Sequence, residues 1–236
     1  MGKRARKDSQ FMTAIPAFLS YSNKNKGLAG FIKINLDGYG FDTFLAHEDL
    51  QPSEEWQKTI LLKLKECVVF FPLLTSSFTE SDWTDQETGI AVALGKIIVP
   101  MKTSVDPYGF ISKYQAQSFA GAASGGKLFP PVIDEACWNI VKKLASRRKL
   151  GVRIRERVIS SFGGSGSFSE AAAHADKLRL LEPFTDEQLN EIIRGSCQNN
   201  QIYFGFAARA YVNDLIDRES PRIDKTLARQ FRELQK

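Results

Sequence analysis

Short apolar runs alternate with amphipathic stretches over the first part of the chain. Runs of strand length occur at residues 15–21, 41–45, 67–74 and 97–101, and Phe129–Ile133 could add a short strand. The run at 67–74 is apolar throughout, as in a central parallel strand buried on both faces. Helical spacing of apolar residues is found at 26–36, after Ser53, at 83–95 and at 134–145. This alternation predicts an α/β domain with a parallel sheet and helices on both faces.

The second part of the chain has a different pattern. Residues 160–169 are a low-complexity stretch of Gly, Ser and Phe. Four amphipathic helices are predicted after it, at 170–181, 185–197, 201–217 and 224–234, and Thr185-Asp-Glu-Gln188 fits a capping box. We therefore predict a basic disordered arm at 1–12, an α/β domain at 13–146, a basic and Gly/Ser-rich linker at 147–169, and a small all-helical module at 170–236.

Composition excludes several classes of protein. Apolar residues make up 43% of the chain and charged residues 25%, near the average for globular proteins. No apolar run is long enough for a bilayer span, and the N-terminal residues lack the apolar core of a signal peptide. Cys67, Cys137 and Cys197 are widely spaced in apolar contexts, which indicates buried thiols in a reducing compartment. We expect a cytoplasmic protein without a membrane partner.

The net charge of +5 is unevenly distributed, because residues 142–157 contain eight cations and one acid. A basic segment of this kind could contact nucleic acid, or it could be the solvated face of a helix. No zinc-finger or RNP-like motif accompanies it, so the sequence disfavours nucleic acid as a partner.

The stretch Ser-Asp-Trp-Thr-Asp-Gln-Glu at residues 81–87 follows the buried apolar run. Trp83 and Glu87 are four positions apart, so on a helix they lie on one face. Open α/β sheets bind ligands beyond the carboxyl ends of their strands, which is where this helix is predicted to start. An aromatic ring beside a carboxylate there could stack on a planar ligand and stabilise charge on it.

Each of these two residues also has a structural interpretation. Trp83 could simply pack in the core. Thr84-Asp-Gln-Glu87 also fits a capping box, in which the glutamate bonds to the start of its own helix. The start of the helix decides between the two interpretations of Glu87. A helix that begins at or before Trp83 would leave Glu87 too deep to cap it.

Several short motifs follow one another in a specific order. They are Phe18–Ser22, Phe41–Phe44, His47–Leu50, Glu55-Trp56, Leu74–Phe78, Trp83–Glu87 and Ile98–Pro100. In order and spacing they resemble the Toll/interleukin-1 receptor (TIR) domain over roughly the first 130 residues. The C-terminal helical part falls outside the resemblance. For the first part of the chain, the resemblance implies a flavodoxin-like fold, with a parallel five-stranded sheet and helices on both faces.

The resemblance also implies a chemistry. Some TIR domains are scaffolds that recruit other TIR domains, whereas others cleave NAD at the bond between nicotinamide and ribose. In the enzymes the catalytic glutamate lies on the helix after the third strand, which is the position of Glu87, and several bacterial members carry a tryptophan four residues earlier, as Trp83 is here. The other candidate substrate-binding residues are Ser20, Tyr21 and Ser22 at the end of the first strand, and Phe44 and His47 near the end of the second. The first three could meet a phosphate or ribose or could simply form a turn, and His47 could line the cleft or be an ordinary surface histidine. NAD is then a substrate, and neither a cofactor nor a metal is expected.

The bacterial NAD-cleaving type is the closer resemblance, and it implies a role in antiphage defence. The product would be ADP-ribose or a cyclic ADP-ribose signalling molecule, and the sequence leaves both open. A homo-oligomer formed through TIR–TIR contacts is expected, with the helical module contacting a sensor or a downstream effector. The alternative is a non-catalytic TIR adaptor that acts through the loop from His47 to Pro52.

Overall fold

A computed structural model describes residues 14–45 and 54–236 of the chain. The predicted basic arm at 1–12 and the loop at 46–53, with His47, lie outside the described residues. The chain divides into two compact units after Cys137. Within the described ranges, no helix combines the length and the apolar character needed to cross a membrane.

The first unit is built on a parallel sheet, which confirms the predicted α/β fold. Its strands are β1 (Ile15–Ser20), β2 (Phe41–Leu45), β3 (Val69–Leu74), β4 (Ile97–Ile98), β5 (Met101–Lys102) and β6 (Gln117–Ser118). They are ordered β2-β1-β3-β5-β6, and β4 also pairs with β3. The predicted fourth strand is thus split into β4 and β5 around Val99 and Pro100, and a proline has no N–H to give to a ladder. The order contains five strand positions, as the predicted fold requires, but the fifth is β6, which was not predicted from the sequence.

Helices flank this sheet and follow the strands in the chain. They are α1 (Lys26–Gly38), α2 (Glu54–Glu66) and α3 (Asp82–Ala93). A small antiparallel hairpin joins β7 (Ala123–Ser124) to β8 (Lys127–Leu128), and α4 (Pro130–Ala145) begins in this unit and ends in the second. The prediction of a short strand at Phe129–Ile133 is wrong. Pro130 begins α4 instead, because proline is favoured in the first turn of a helix, where no N–H is needed.

The core beneath α2 and α3 contains aromatic side chains from the central strands. Phe18 of β1 and Phe70 of β3 are completely buried, and their rings stack with centroids 5.6 Å apart. Ile60 and Leu64 of α2 belong to the same apolar cluster. Each such side chain stabilises the fold by about 1.5–3 kcal/mol when fully buried. This packing holds the carboxyl ends of β1 and β3 beside the start of α3.

The second unit is all-helical. Beyond the last turns of α4 its helices are α5 (Arg148–Gly163), α6 (Phe168–Arg179), α7 (Asp186–Gln198), α8 (Asn200–Tyr203), α9 (Phe206–Arg218) and α10 (Lys225–Glu233). α5 packs against α6 and α7, α6 against α9, and α10 against α7. The predicted capping box begins α7, where Gln188 N donates to Thr185 Oγ1 at 3.3 Å and Thr185 N donates to Gln188 Oε1 at 3.1 Å.

The structure differs from the linker predicted at residues 147–169. Most of that range is α5, whose apolar positions Leu150, Ile154 and Phe162 are buried within the unit. Its exposed positions carry cations such as Arg157, and these produced the basic composition. An amphipathic helix with a charged outer face has a low average hydropathy. The average composition of this range therefore did not distinguish α5 from a polar linker.

Candidate active site

The start of α3 decides how Glu87 can act. The helix begins at Asp82, with Ser81 as its N-cap residue, so Glu87 lies in the second turn. The hydroxyl of Thr84 is 2.7 Å from the carbonyl oxygens of both Phe78 and Ser81 and donates to this pair. The capping box of Thr84 and Glu87 is therefore not formed, and the glutamate side chain is available for another role.

Glu87 instead bonds to the end of the first strand. The hydroxyl of Ser20, the last residue of β1, donates a 2.5 Å hydrogen bond to Glu87 Oε2. Glu87 is 1% exposed, and its Oε1 has no hydrogen-bond partner among the described residues. Leaving a buried acceptor unpaired costs about 1–3 kcal/mol, and more if the group is charged. Such a cost is common where a polar atom is kept for a ligand.

The surroundings of Glu87 favour its neutral form. Burial raises the pKa of Glu87 to about 8, and the hydrogen bond from Ser20 opposes that rise. No charge of a described side chain contributes to the shift. Without a ligand, the carboxyl is mostly protonated at pH 7. An arriving cation would lower its pKa and favour the carboxylate.

A pocket of about 200 Å³ borders this residue, lined by side chains of α2 and α3. Its walls are apolar, formed by Ile60, Leu61, Trp83 and Ile90, and its polar groups are Gln57, Gln86 and Glu87. The volume is below the roughly 300–1,000 Å³ of pockets that hold a whole drug-sized ligand. It fits one small ring with its substituent. The free oxygen of Glu87 is covered, so binding must open the floor of the pocket by a small side-chain movement.

Trp83 fits both interpretations that the sequence left open. Its ring meets that of Trp56 edge to face, with centroids 4.7 Å apart and an interplanar angle of 82°. It is half-buried and packs against the core cluster, and it also lines the pocket. An edge-to-face aromatic pair contributes about 0.5–1.5 kcal/mol beyond its burial. Trp56 therefore holds the indole of Trp83 in place as a wall of the pocket.

The remaining predicted site residues are less closely connected to Glu87. Tyr21 is completely buried, and Ser22 is 8% exposed at the start of a short 3-10 turn. Phe44 is half-buried and packs on Phe18, with ring centroids 5.4 Å apart. His47 lies outside the described residues. The structure thus brings together Ser20 and Glu87 by a hydrogen bond and Trp83 and Glu87 at one pocket.

Hydrogen bonds between loops support the carboxyl edge of the sheet. Asn25 Oδ1, after β1, accepts from Thr75 Oγ1 at 2.8 Å and from Ser77 Oγ at 2.7 Å, after β3. Tyr108 OH donates to Asp85 Oδ1 of α3 at 2.5 Å. These bonds connect the loops after β1 and β3 to each other, and the loop that holds Tyr108 to the helix that carries Glu87.

Sequence reasoning missed the wall of the pocket that α2 provides. Gln57, Ile60 and Leu61 form it, and Gln86 and Ile90 complete the pocket from α3. A signal existed in the sequence, since Leu61 beside Ile60 widens the apolar stripe of this helix beyond what core packing alone needs.

Within the described parts of the chain, no group of three or more His, Cys, Asp or Glu side chains is placed so that it could hold a metal ion.

The first unit is similar to a known protein family. The family model described as the TIR domain matches residues 17–128, a range that includes Ser20, Trp83 and Glu87. Comparison with curated proteins found no similar sequence.

Proposed function

We propose that this protein, which carries a TIR domain, is an enzyme that cleaves NAD at the bond between nicotinamide and ribose. The observation that carries the proposal is the unpaired Oε1 of the buried Glu87 beside a pocket walled by Trp83. Most buried polar atoms in folded proteins have a hydrogen-bond partner, so a ligand that pairs with this oxygen would account for it.

The chemistry of NAD suits a site with one carboxyl group. The nicotinamide ring nitrogen is cationic, and it takes the bonding electron pair when the bond to ribose breaks. Positive charge then develops on the ribose, as in other oxocarbenium-like transition states. A carboxylate held next to that charge stabilises it, and removing water from the site strengthens the effect.

Three features of the site support these roles. Ser20 holds Oε2 of Glu87, which leaves Oε1 for the ribose. The cationic ring of NAD supplies the charge that converts the buried acid to its carboxylate. Trp83 offers an aromatic face, and cations are attracted to such faces by about 0.5–2 kcal/mol.

The proposal extends to product and assembly. Water would capture the ribosyl cation to give ADP-ribose, or an adenine nitrogen would capture it to give a cyclic product. We further propose a homo-oligomer formed by TIR–TIR contacts and a role in antiphage defence, with the helical unit contacting a sensor or an effector. The adaptor function is the alternative, and it requires no turnover of NAD.

The test is to incubate the purified full chain with NAD at several protein concentrations, because assembly depends on concentration. Nicotinamide release is measured by chromatography. Glu87→Gln should reduce kcat by at least about 100-fold, as expected when an electrostatic stabiliser is removed. The matched control is Glu66→Gln, whose side chain is 49% exposed and pairs with Lys63. Equal turnover by Glu87→Gln would overturn the assignment, and self-association without NAD loss in the wild type would favour the adaptor.

A further inference from the structure

The polar groups of the pocket between α2 and α3 are of two kinds. Glu87 is the one ionisable side chain among the described residues that line it, and the other two polar groups are the primary amides of Gln57 and Gln86. Gln57 comes from α2 and Gln86 from α3, so the amides belong to opposite sides of one small pocket.

Neither amide is used by the fold. Both glutamines are exposed, and neither side chain has a hydrogen-bond partner within residues 14–45 and 54–236. Each amide presents one C=O acceptor and an NH₂ donor in a single plane. The pocket therefore offers donors and acceptors above apolar walls, and the described residues that line it include no cation.

We propose that Gln57 and Gln86 select the base that leaves, by recognising an uncharged carboxamide on its ring; this inference rests on the proposed cleavage of NAD. The carboxamide of nicotinamide has the same donor and acceptor pattern as a glutamine amide, so the two groups pair through complementary hydrogen bonds. The pocket volume suits a single ring with this one substituent.

The same groups disfavour a ring that carries a carboxylate. Nicotinic acid adenine dinucleotide differs from NAD in this one group, and its carboxylate has acceptors but no donor. Its negative charge would also enter a pocket whose described lining holds Glu87 and no cation, and a like charge disfavours the carboxylate form that cleavage needs. Gln57 and Gln86 thus act as specificity-determining residues.

The experiment compares kcat/KM for NAD and for nicotinic acid adenine dinucleotide in the full chain. The wild type should prefer NAD by at least about tenfold, the value of one or two lost hydrogen bonds. Gln57→Leu and Gln86→Leu should each lower kcat/KM for NAD and leave the value for the carboxylate dinucleotide nearly unchanged. The double variant should lower the ratio further, to the part that the charge of Glu87 alone maintains. Gln57→Arg, which adds a partner for a carboxylate, should move the ratio towards nicotinic acid adenine dinucleotide.

Controls separate the possible failures. Gln198→Leu makes the same chemical change at an exposed position at the end of α7 and should leave the ratio unchanged. Thermal melting of each variant checks its fold, which exposed substitutions should preserve. Equal cleavage of both dinucleotides by the wild type, or a ratio that no glutamine variant changes, would overturn this inference alone. Cleavage of neither dinucleotide would overturn the proposed function and the inference with it.

Discussion

Ser20 and Glu87 are 67 positions apart in the chain and are joined by a 2.5 Å hydrogen bond. Ser20 ends β1, and Glu87 lies in the second turn of α3, which follows the neighbouring strand β3. The bond orients one carboxyl oxygen and leaves the other unpaired. We therefore propose Ser20 as a positioning residue, which would act on the proposed reaction through Glu87.

Replacing Ser20 tests this role. Ser20→Ala removes the described donor to Glu87, and because that bond lowers the pKa of Glu87, its pKa should move further above about 8. The pH profile of kcat/KM should shift to higher pH, with activity at pH 7 reduced about tenfold. Ser160→Ala is the control, since Ser160 lies at an exposed position of α5 in the helical unit. An unshifted profile in Ser20→Ala would remove the positioning role.

Activity of the wild type should depend on pH in a definite direction. The pKa of Glu87 is raised to about 8, and the carboxylate is the form that stabilises positive charge. kcat/KM reports the free enzyme, so it should rise with pH and level off above about 8. The profile of kcat should turn at lower pH, because bound NAD brings a cation that favours the carboxylate. A flat kcat/KM between pH 6 and pH 9 would contradict this assignment.

Glu87 should also lower the stability of the fold as the pH rises. In the unfolded chain its pKa returns to the usual 4.5, against about 8 in the fold. Between these values the unfolded state has lost a proton that the folded state keeps, so the free energy of unfolding falls with rising pH. Glu87→Gln lacks this titration and should exceed the wild type in stability by a few kcal/mol at pH 8 but not at pH 5. Urea denaturation at both pH values measures the free energy of unfolding. The same pH dependence in the wild type and in Glu87→Gln would contradict this prediction.

The ring of Trp83 should matter for stability as well as for binding. Trp83→Ala removes the edge-to-face contact with Trp56 and opens a cavity, at a cost of about 2–4 kcal/mol. Trp83→Phe keeps an aromatic wall and should recover most of that stability, with a raised KM for NAD. Phe31→Ala on α1 is the control, because Phe31 is exposed and should change stability little. Denaturation and steady-state kinetics measure the two effects, and a stable, fully active Trp83→Ala would contradict both.

In the helical unit, Gly151 permits a close approach of the backbone. A Cβ at this position would lie 2.1 Å from the carbonyl oxygen of Ala145, which is too close for any side chain. Gly151→Ala should therefore destabilise this unit by about 1–3 kcal/mol. At Gly164 the nearest atom to an added Cβ is at 3.5 Å, so Gly164→Ala is the tolerated control. Thermal melting compares Gly151→Ala with Gly164→Ala. Equal melting temperatures would contradict the predicted destabilisation at Gly151.

Much of the fold was predictable because it depends on local patterns. The apolar run at 67–74 predicted a central strand, and β3 is buried along its whole length. The capping box from Thr185 to Gln188 was predicted and begins α7. The order of the TIR motifs predicted the matched family. In each case neighbouring residues carry the information, either as a period or as a short motif.

Other elements were missed because their signals are weak or not local. β6 has two residues, Gln117–Ser118, too few for any period to be visible. The helix predicted at 201–217 is broken before Gly205, where a Cβ would lie 2.3 Å from the carbonyl oxygen of Gln201. α5 was hidden by its charged outer face, since the burial of Ile154 and Phe162 depends on helices that follow later in the chain.

The sequence by itself determined that Trp83 and Glu87 share a helix at the carboxyl end of a central strand, because a four-residue spacing and an apolar run are local properties. The tertiary structure alone decided that Glu87 meets Ser20, that its other oxygen is left unpaired, and that α2 supplies the facing wall of the pocket. The raised pKa of Glu87 belongs to this second group as well. Its cause is burial, which depends on side chains that the fold gathers from distant parts of the chain.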